Sequence, residues 1–230
     1  MNQSIPSLNQ IDNKPLREKV LDVLREAIIQ GDFKPGQALV ESELAAQLGV
    51  SRAPIREALQ ILNTEGLLET VPYHGTTVRP LTKTDIEELY SLRSVLEVFA
   101  VRRVIALGDP HSVERLRQHY EDMLASAFSG DLKQVNEIDR QFHDALIELS
   151  GHRLVGTVWN SVSMRVRQVM ARLNERNTDL KQIAYNHLPL IEAIADGNEE
   201  KAVALIQQHI AASGDLIAEG WDDQEGEGGR

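Results

Sequence analysis

The sequence predicts a mainly α-helical fold, on three observations. Of 230 residues, 42% are hydrophobic but only 4% aromatic, so Leu, Ile, Val and Ala must build the core, which suits packed helices better than aromatic-rich strands. Apolar residues recur at three- and four-residue spacing along most of the chain. The main β-favouring stretch, "LLETVPYHGTTV" over residues 67–78, is short and broken by Pro72 and Gly75.

The elements follow in order. Leu16, Val20, Val23, Leu24, Ala27 and Ile28 mark a first helix, with Pro15 suited to its first turn and Gly31 to its stop. Pro35 and Gly36 supply turn chemistry, and Leu39 and Val40 suit a very short strand. Residues 41–48 form a second, short helix ending at Gly49. Ser51 is placed to cap a third, where Pro54 falls in the first turn and Ile55, Ala58, Leu59 and Leu62 form the apolar stripe up to Gly66. The β-favouring stretch then folds back as a hairpin. Helix, short helix, turn at Gly49-Val50, helix and hairpin make a winged helix-turn-helix. From Leu81 onward only helical patterns remain, over about 84–107, 112–129, 131–150, 152–176, 179–196 and 198–218, joined by turns such as "LGDPHS" and "DGN". They read as an all-helical antiparallel bundle. The expected organisation is a flexible N-terminal arm over 1–13, the winged module over 14–80, the bundle over 81–218, and a disordered acidic tail over 219–230, where "WDDQEGEGGR" carries four carboxylates.

Composition removes several function classes. The chain has no cysteine, which excludes disulfides, thiolate metal sites and cysteine nucleophiles. The start lacks a signal-peptide pattern, and no apolar run approaches the roughly 20 residues of a membrane helix; a cytoplasmic protein without membrane contact is expected. The net charge of -11 argues against bulk nucleic-acid binding, yet residues 1–82 carry 8 basic against 10 acidic groups and the remainder 16 against 25. The acidity is mostly downstream.

The third helix repays attention to its faces. At about 100° per residue, Arg52, Arg56, Gln60 and Asn63 flank the Ile55/Leu59/Leu62 stripe and point outward. A helix presented this way fits a DNA major groove, where arginine grips phosphates or pairs with guanine and Ser51 donates to a phosphate. His74 and Gly75 at the hairpin tip suit the adjacent minor groove. The competing reading is a solvated helix with Arg56 paired to Glu57 or Glu41. "LVESELAAQLGVSRAPIREALQILNTEGLL" followed by "HGTTV" resembles the DNA-binding half of the GntR family of bacterial transcription regulators. The resemblance implies operator contacts from Ser51, Arg52, Arg56, His74 and Gly75, with Ser42 and Ala53 standing where some members carry Arg and Thr. One such module reads only a few base pairs, so a homodimer on a palindromic duplex is expected.

A second constellation lies in the bundle. Asp139 and His143 sit one above the other on one helix face among Val135, Phe142, Leu146 and Ile147; His187 shares a stripe with Ile183, Leu190, Ile191 and Ile194, and His209 with Ala202, Leu205 and Ile206. Singly, each reads best as a satisfied core residue. Together, three imidazoles and a carboxylate on inward stripes fit a divalent ion, zinc first, with nickel, manganese or iron as alternatives. "IDRQFHDALIELSGHRL" and "HLPLIEAIADGNEEKAVALIQQHI" resemble the all-helical C-terminal domain, the FCD domain, of the FadR subfamily. That resemblance implies a metal held by Asp139, His143, His187 and His209, and a small carboxylate effector on it. Departures are His152, where Asn is common, and Pro189, which is placed to kink the helix carrying His187. An anionic effector calls for further cations: Arg93, beside Glu97, and Arg165, Arg167 and Arg172 are the candidates. No acid/base pair, nucleophile elbow or phosphate loop accompanies the ligands, so an enzyme is not expected. A regulator answering to the metal ion alone is the alternative.

Overall fold

The computed structural model describes residues 14–71, 75–173 and 179–219. The expected arm over 1–13, the wing-tip residue His74 and the tail beyond Glu219 lie outside them. The N-terminal part begins with α1 (Leu16–Ile29), which buries Val20, Leu21, Leu24 and Ile28. Val23, expected on this stripe, is 51% exposed, because it lies about 100° around the helix from Leu24. Helix α2 (Glu41–Leu48) stops at Gly49, whose φ of 66° is left-handed; glycine takes this conformation without a Cβ penalty, and the chain turns there into α3 (Arg52–Thr64). Ser51 occupies the N-cap position in extended backbone, but its hydroxyl makes no capping hydrogen bond.

The hairpin pairs β1 (Leu68–Val71) with β2 (Gly75–Val78), Leu68 opposite Val78 and Val71 opposite Gly75. The short strand expected at Leu39 and Val40 does not form. An isolated bridge joins Ala38 to Thr77 instead, and Val40 is already the N-cap of α2, so the chain leaves the sheet after one pairing. Leu24, Ile28, Ile55, Leu62, Leu67 and Leu68 make the core of this part.

The remaining helices are α4 (Lys83–Leu107), α5 (Pro110–Ser129), α6 (Leu132–Leu149), α7 (Arg153–Leu173), α8 (Leu180–Tyr185), α9 (Leu188–Ala195) and α10 (Glu199–Glu219). Their starts are written in the sequence: Thr82 and Asp85 form a reciprocal capping box on α4, Asp109 caps α5 ahead of Pro110, and Asp131 caps α6. His152 caps α7, its Nδ1 accepting from the Val155 amide at 3.2 Å. The single helix expected over 179–196 is two. Pro189 has no N–H for the Tyr185 carbonyl and its ring crowds that oxygen, so α8 ends at Tyr185 and α9 resumes after His187. Leu116, Met123, Phe142, Leu146 and Ile206 anchor the bundle core. No described helix is long and apolar enough to cross a membrane.

Candidate nucleic-acid interface and metal centre

On the N-terminal part, Ser51 and Arg52 are exposed at the start of α3. Arg56, one turn on, is also exposed, and its guanidinium holds the Glu41 carboxylate at 2.9 Å. The competing reading of Arg56 is therefore realised in the free chain, as a solvated pair of a kind that exchanges readily. Gly75 has a φ of 82°, a conformation costly for residues with a side chain.

In the bundle, Asp139 and His143 on α6, His187 at the α8–α9 break and His209 on α10 converge, with one ligand atom from each, all four within 4.8 Å of one another. The separations suit a shared ion: His187 Nε2 lies 3.2 Å from Asp139 Oδ1, His143 Nε2 3.2 Å from His209 Nε2, and His143 Nε2 3.9 Å from Asp139 Oδ1. Donors bonded at about 2.0–2.1 Å to one ion stand roughly 3–4 Å apart.

Hydrogen bonds on the far side of two rings decide what they offer. His143 Nδ1 meets the Glu97 carboxylate in a short contact, and Nδ1–H of His187 donates to the Ile183 carbonyl at 2.9 Å. With a proton on Nδ1, each neutral ring turns an Nε2 lone pair toward the cluster, as metal-ligating histidines do. Buried His187 Nε2 has no hydrogen-bond partner among the described residues: the Asp139 oxygen beside it stands outside hydrogen-bonding geometry. A buried lone pair aimed at a carboxylate and two more imidazoles is costly unless a cation satisfies it. The donor set of three nitrogens and one oxygen, without sulfur, fits a divalent transition ion.

The electrostatics agree. Burial pushes the Asp139 carboxyl up, and positive charge placed among His187, His143 and His209 more than offsets this and holds it far below the usual carboxylate range, so neutral rings leave the carboxylate in need of a cation in their midst. Burial, with His187 and His143 adding to it, holds His209 well below its ordinary value, so its ring is neutral near pH 7. Behind His143, Glu97 is fully buried and accepts from Arg93 Nε at 2.7 Å. Burial alone would raise the Glu97 carboxyl and lower the Arg93 guanidinium; with His143 also beside Glu97, the carboxyl is lowered and the guanidinium raised. Tyr90, under the Arg93 guanidinium, is pushed up to about 12 by burial.

Asp139 and His143 also face a cavity of about 390 Å³ bounded by α1, α6 and α7 with Arg93 from α4. Arg93 thus stands at the cavity. Arg165 does not: it lies over Gly66 and 3.7 Å from Asp85, with Nε and one terminal nitrogen lacking hydrogen-bond partners among the described residues. The side chain of Arg172 is outside the described residues. Arg167 does line the cavity, with Ser163, Val166 and Met170 of the same helix face. The sequence reading missed Glu97 as the partner of His143, and Arg140 and Glu26 at the cavity. Arg140 is flanked by Glu137 and Asp144 at helical spacing, a signal available in the sequence; Glu26 has none.

A winged helix-turn-helix joined to a helical body that holds a partly enclosed cavity defines the architecture of a DNA-binding regulator. Residues 16–78 match the family described as bacterial regulatory proteins, gntR family, and residues 88–212 match the FCD domain. The chain belongs to the GntR family and carries an FCD domain. It is 32% identical over 195 residues to the probable D-xylose utilization operon transcriptional repressor of Paenarthrobacter nicotinovorans, covering 84% of this chain and 85% of that one. It is 29% identical over 207 residues to the gluconate operon transcriptional repressor of Bacillus subtilis, covering 88% and 85%. A crystal structure of a GntR regulator from Rhodococcus sp. RHA1 superposes with a TM-score of 0.75 at 29% identity, covering 90% of this chain and 99% of that one. The chain is a DNA-binding transcription regulator, not an enzyme.

Proposed function

We propose that this regulator changes its operator affinity when a small carboxylate binds a divalent ion held by Asp139, His143, His187 and His209. Zinc is the first choice of ion, with nickel, manganese and iron as alternatives. The observation that carries the reading is the buried, unpartnered Nε2 of His187 beside Asp139 and next to the cavity. Four protein donors close a tetrahedral shell, so an acid joining them requires five or six coordination, which divalent ions of this row accept. The ion supplies a Lewis-acid anchor for a carboxylate; Arg93 adds fixed positive charge at the cavity wall. A relative named for a gluconate operon supports a small organic acid as effector class, and the repressors among the relatives support repression. The FadR subfamily is the placement that the FCD domain supports.

On the DNA side, Ser51, Arg52 and Arg56 at the start of α3 and His74 and Gly75 at the wing serve as the contact residues, Arg56 exchanging Glu41 for the duplex. Two copies act together in the cytoplasm. Leu92, Val95 and Phe99 recur along α4 with exposures of 43%, 66% and 38%, an apolar stripe that a second copy would cover.

Operator binding measured by fluorescence anisotropy, on zinc-loaded and chelator-stripped protein, tests the proposal. A panel of small acids is expected to shift affinity only for the loaded form. A shift with zinc alone that no acid modifies supports the metal-sensing alternative, and no shift under either condition overturns both.

A further inference from the structure

Resting on the carboxylate reading above, a second acidic group on the effector has a receptor. Helix α1 of the DNA-binding part forms one wall of the cavity through Glu26, Ile29 and Gln30. Across it, Arg167 of α7 holds the Glu26 carboxylate at 3.1 Å, the pair being 22% and 50% exposed. Arg140 is committed: Glu137 and Asp144, on its own helix, both take hydrogen bonds from it. Arg167, by contrast, is a cavity cation hydrogen-bonded to a carboxylate from the other half of the molecule, in a partly solvated pair that is cheap to exchange.

The residue before Glu26 gives the pair a consequence. Arg25 grips Glu65, the C-cap of α3, through two hydrogen bonds of 2.7 and 3.0 Å in a part-buried fork. Adjacent positions on α1 thus tie it to the recognition helix on one side and to the effector cavity on the other. We propose that Arg167 is a specificity-determining residue for a diacid effector, taking the acid's second carboxylate in place of Glu26 and so releasing α1, and with it α3, from α7. One guanidinium edge cannot serve both carboxylates at full strength, so acid binding and the α1–α7 contact oppose each other, and by linkage each weakens the other equally.

The test uses zinc-loaded full-length protein and paired probes of equal chain length, succinate with butyrate and adipate with hexanoate, titrated by calorimetry, with operator affinity read by anisotropy. Wild-type protein is expected to prefer a diacid to its monoacid partner by about tenfold or more, the scale of a charge-assisted contact. Arg167→Gln is expected to erase that preference, bringing each diacid to the affinity of its monoacid partner. Glu26→Gln is expected to tighten diacid binding about two- to fivefold, the scale of a lost exposed pair, and to give the acid-free protein the operator affinity that wild type shows with diacid. Persisting preference in Arg167→Gln, or wild-type operator affinity in acid-free Glu26→Gln, overturns the proposal alone. If wild-type protein binds none of the four acids, the carboxylate reading falls with it.

Discussion

Replacing Glu97 by Gln separates structural from ligand-orienting roles within one buried network. Glu97 is fully buried, Arg93 is 3% and His143 1% exposed, and both donate to the Glu97 carboxylate. The amide keeps the shape and removes the charge, leaving Arg93 a buried cation without its partner. Breaking such a pair costs about 3–5 kcal/mol, a large share of the roughly 5–15 kcal/mol that holds a domain folded. The amide is also a weaker acceptor for His143 Nδ1–H, so the ring is less firmly held with its Nε2 toward the cluster; losing an outer-shell partner of this kind costs about 10–100-fold in metal affinity. The double variant Arg93→Met/Glu97→Gln removes the stranded charge. It should recover most of the stability and none of the metal affinity. Urea denaturation of stripped protein and zinc titration against a competing chelator read the two quantities separately. A Glu97→Gln protein within about 1 kcal/mol of wild type, or one that binds zinc as wild type does, would refute the reasoning.

Three further outcomes are expected. Arg52→Ala and Arg56→Ala should each weaken specific operator binding by about 1–3 kcal/mol if they reach base edges, while Glu41→Gln should strengthen it by freeing Arg56; gel shifts over a salt series check both. Stripping the metal should lower thermal stability, by about 2.7 kcal/mol from a solution holding free ion at 100 times its dissociation constant, and scanning calorimetry should show no such loss for His209→Ala. Asp85 caps α4 and pairs with Arg79 at 3.1 Å; burial raises its carboxyl, but Thr82, Arg79 and Arg165 together leave it below its ordinary 3.8. A depressed carboxyl stabilises fully above the unfolded value and loses that contribution as pH falls through the folded one. Asp85→Asn should therefore cost about 1 kcal/mol at pH 7, with the gap to wild type closing below about pH 4.

What could be read from the sequence depended on whether the signal was local. Asp139 and His143 share a face because four residues make about one turn, and the stripes of His187 and His209 follow from the same period; that the three helices meet is a tertiary fact that the family resemblance supplied and periodicity did not. Pro189 announced a disturbance near His187, and the outcome is a clean break that leaves the ring at the start of α9. Arg165 and Arg167 stand about 200° apart on one helix, so choosing the cavity-facing one required the phase set by Ser163, Val166 and Met170. Glu97 was visible as the partner of Arg93, but its second role depends on His143, 46 residues away. Glu26 meets Arg167 across 141 residues, and no window of sequence holds both.

The central claim is that Asp139, His143, His187 and His209 hold one divalent ion on which a small acid sits. Native mass spectrometry with elemental analysis, on protein purified without chelator, tests it most directly. The account predicts one divalent ion per chain, accompanied by an organic acid that is lost with the ion in His209→Ala. Wild type and His209→Ala each found at the mass of its own bare chain, or with equal metal content, would contradict it.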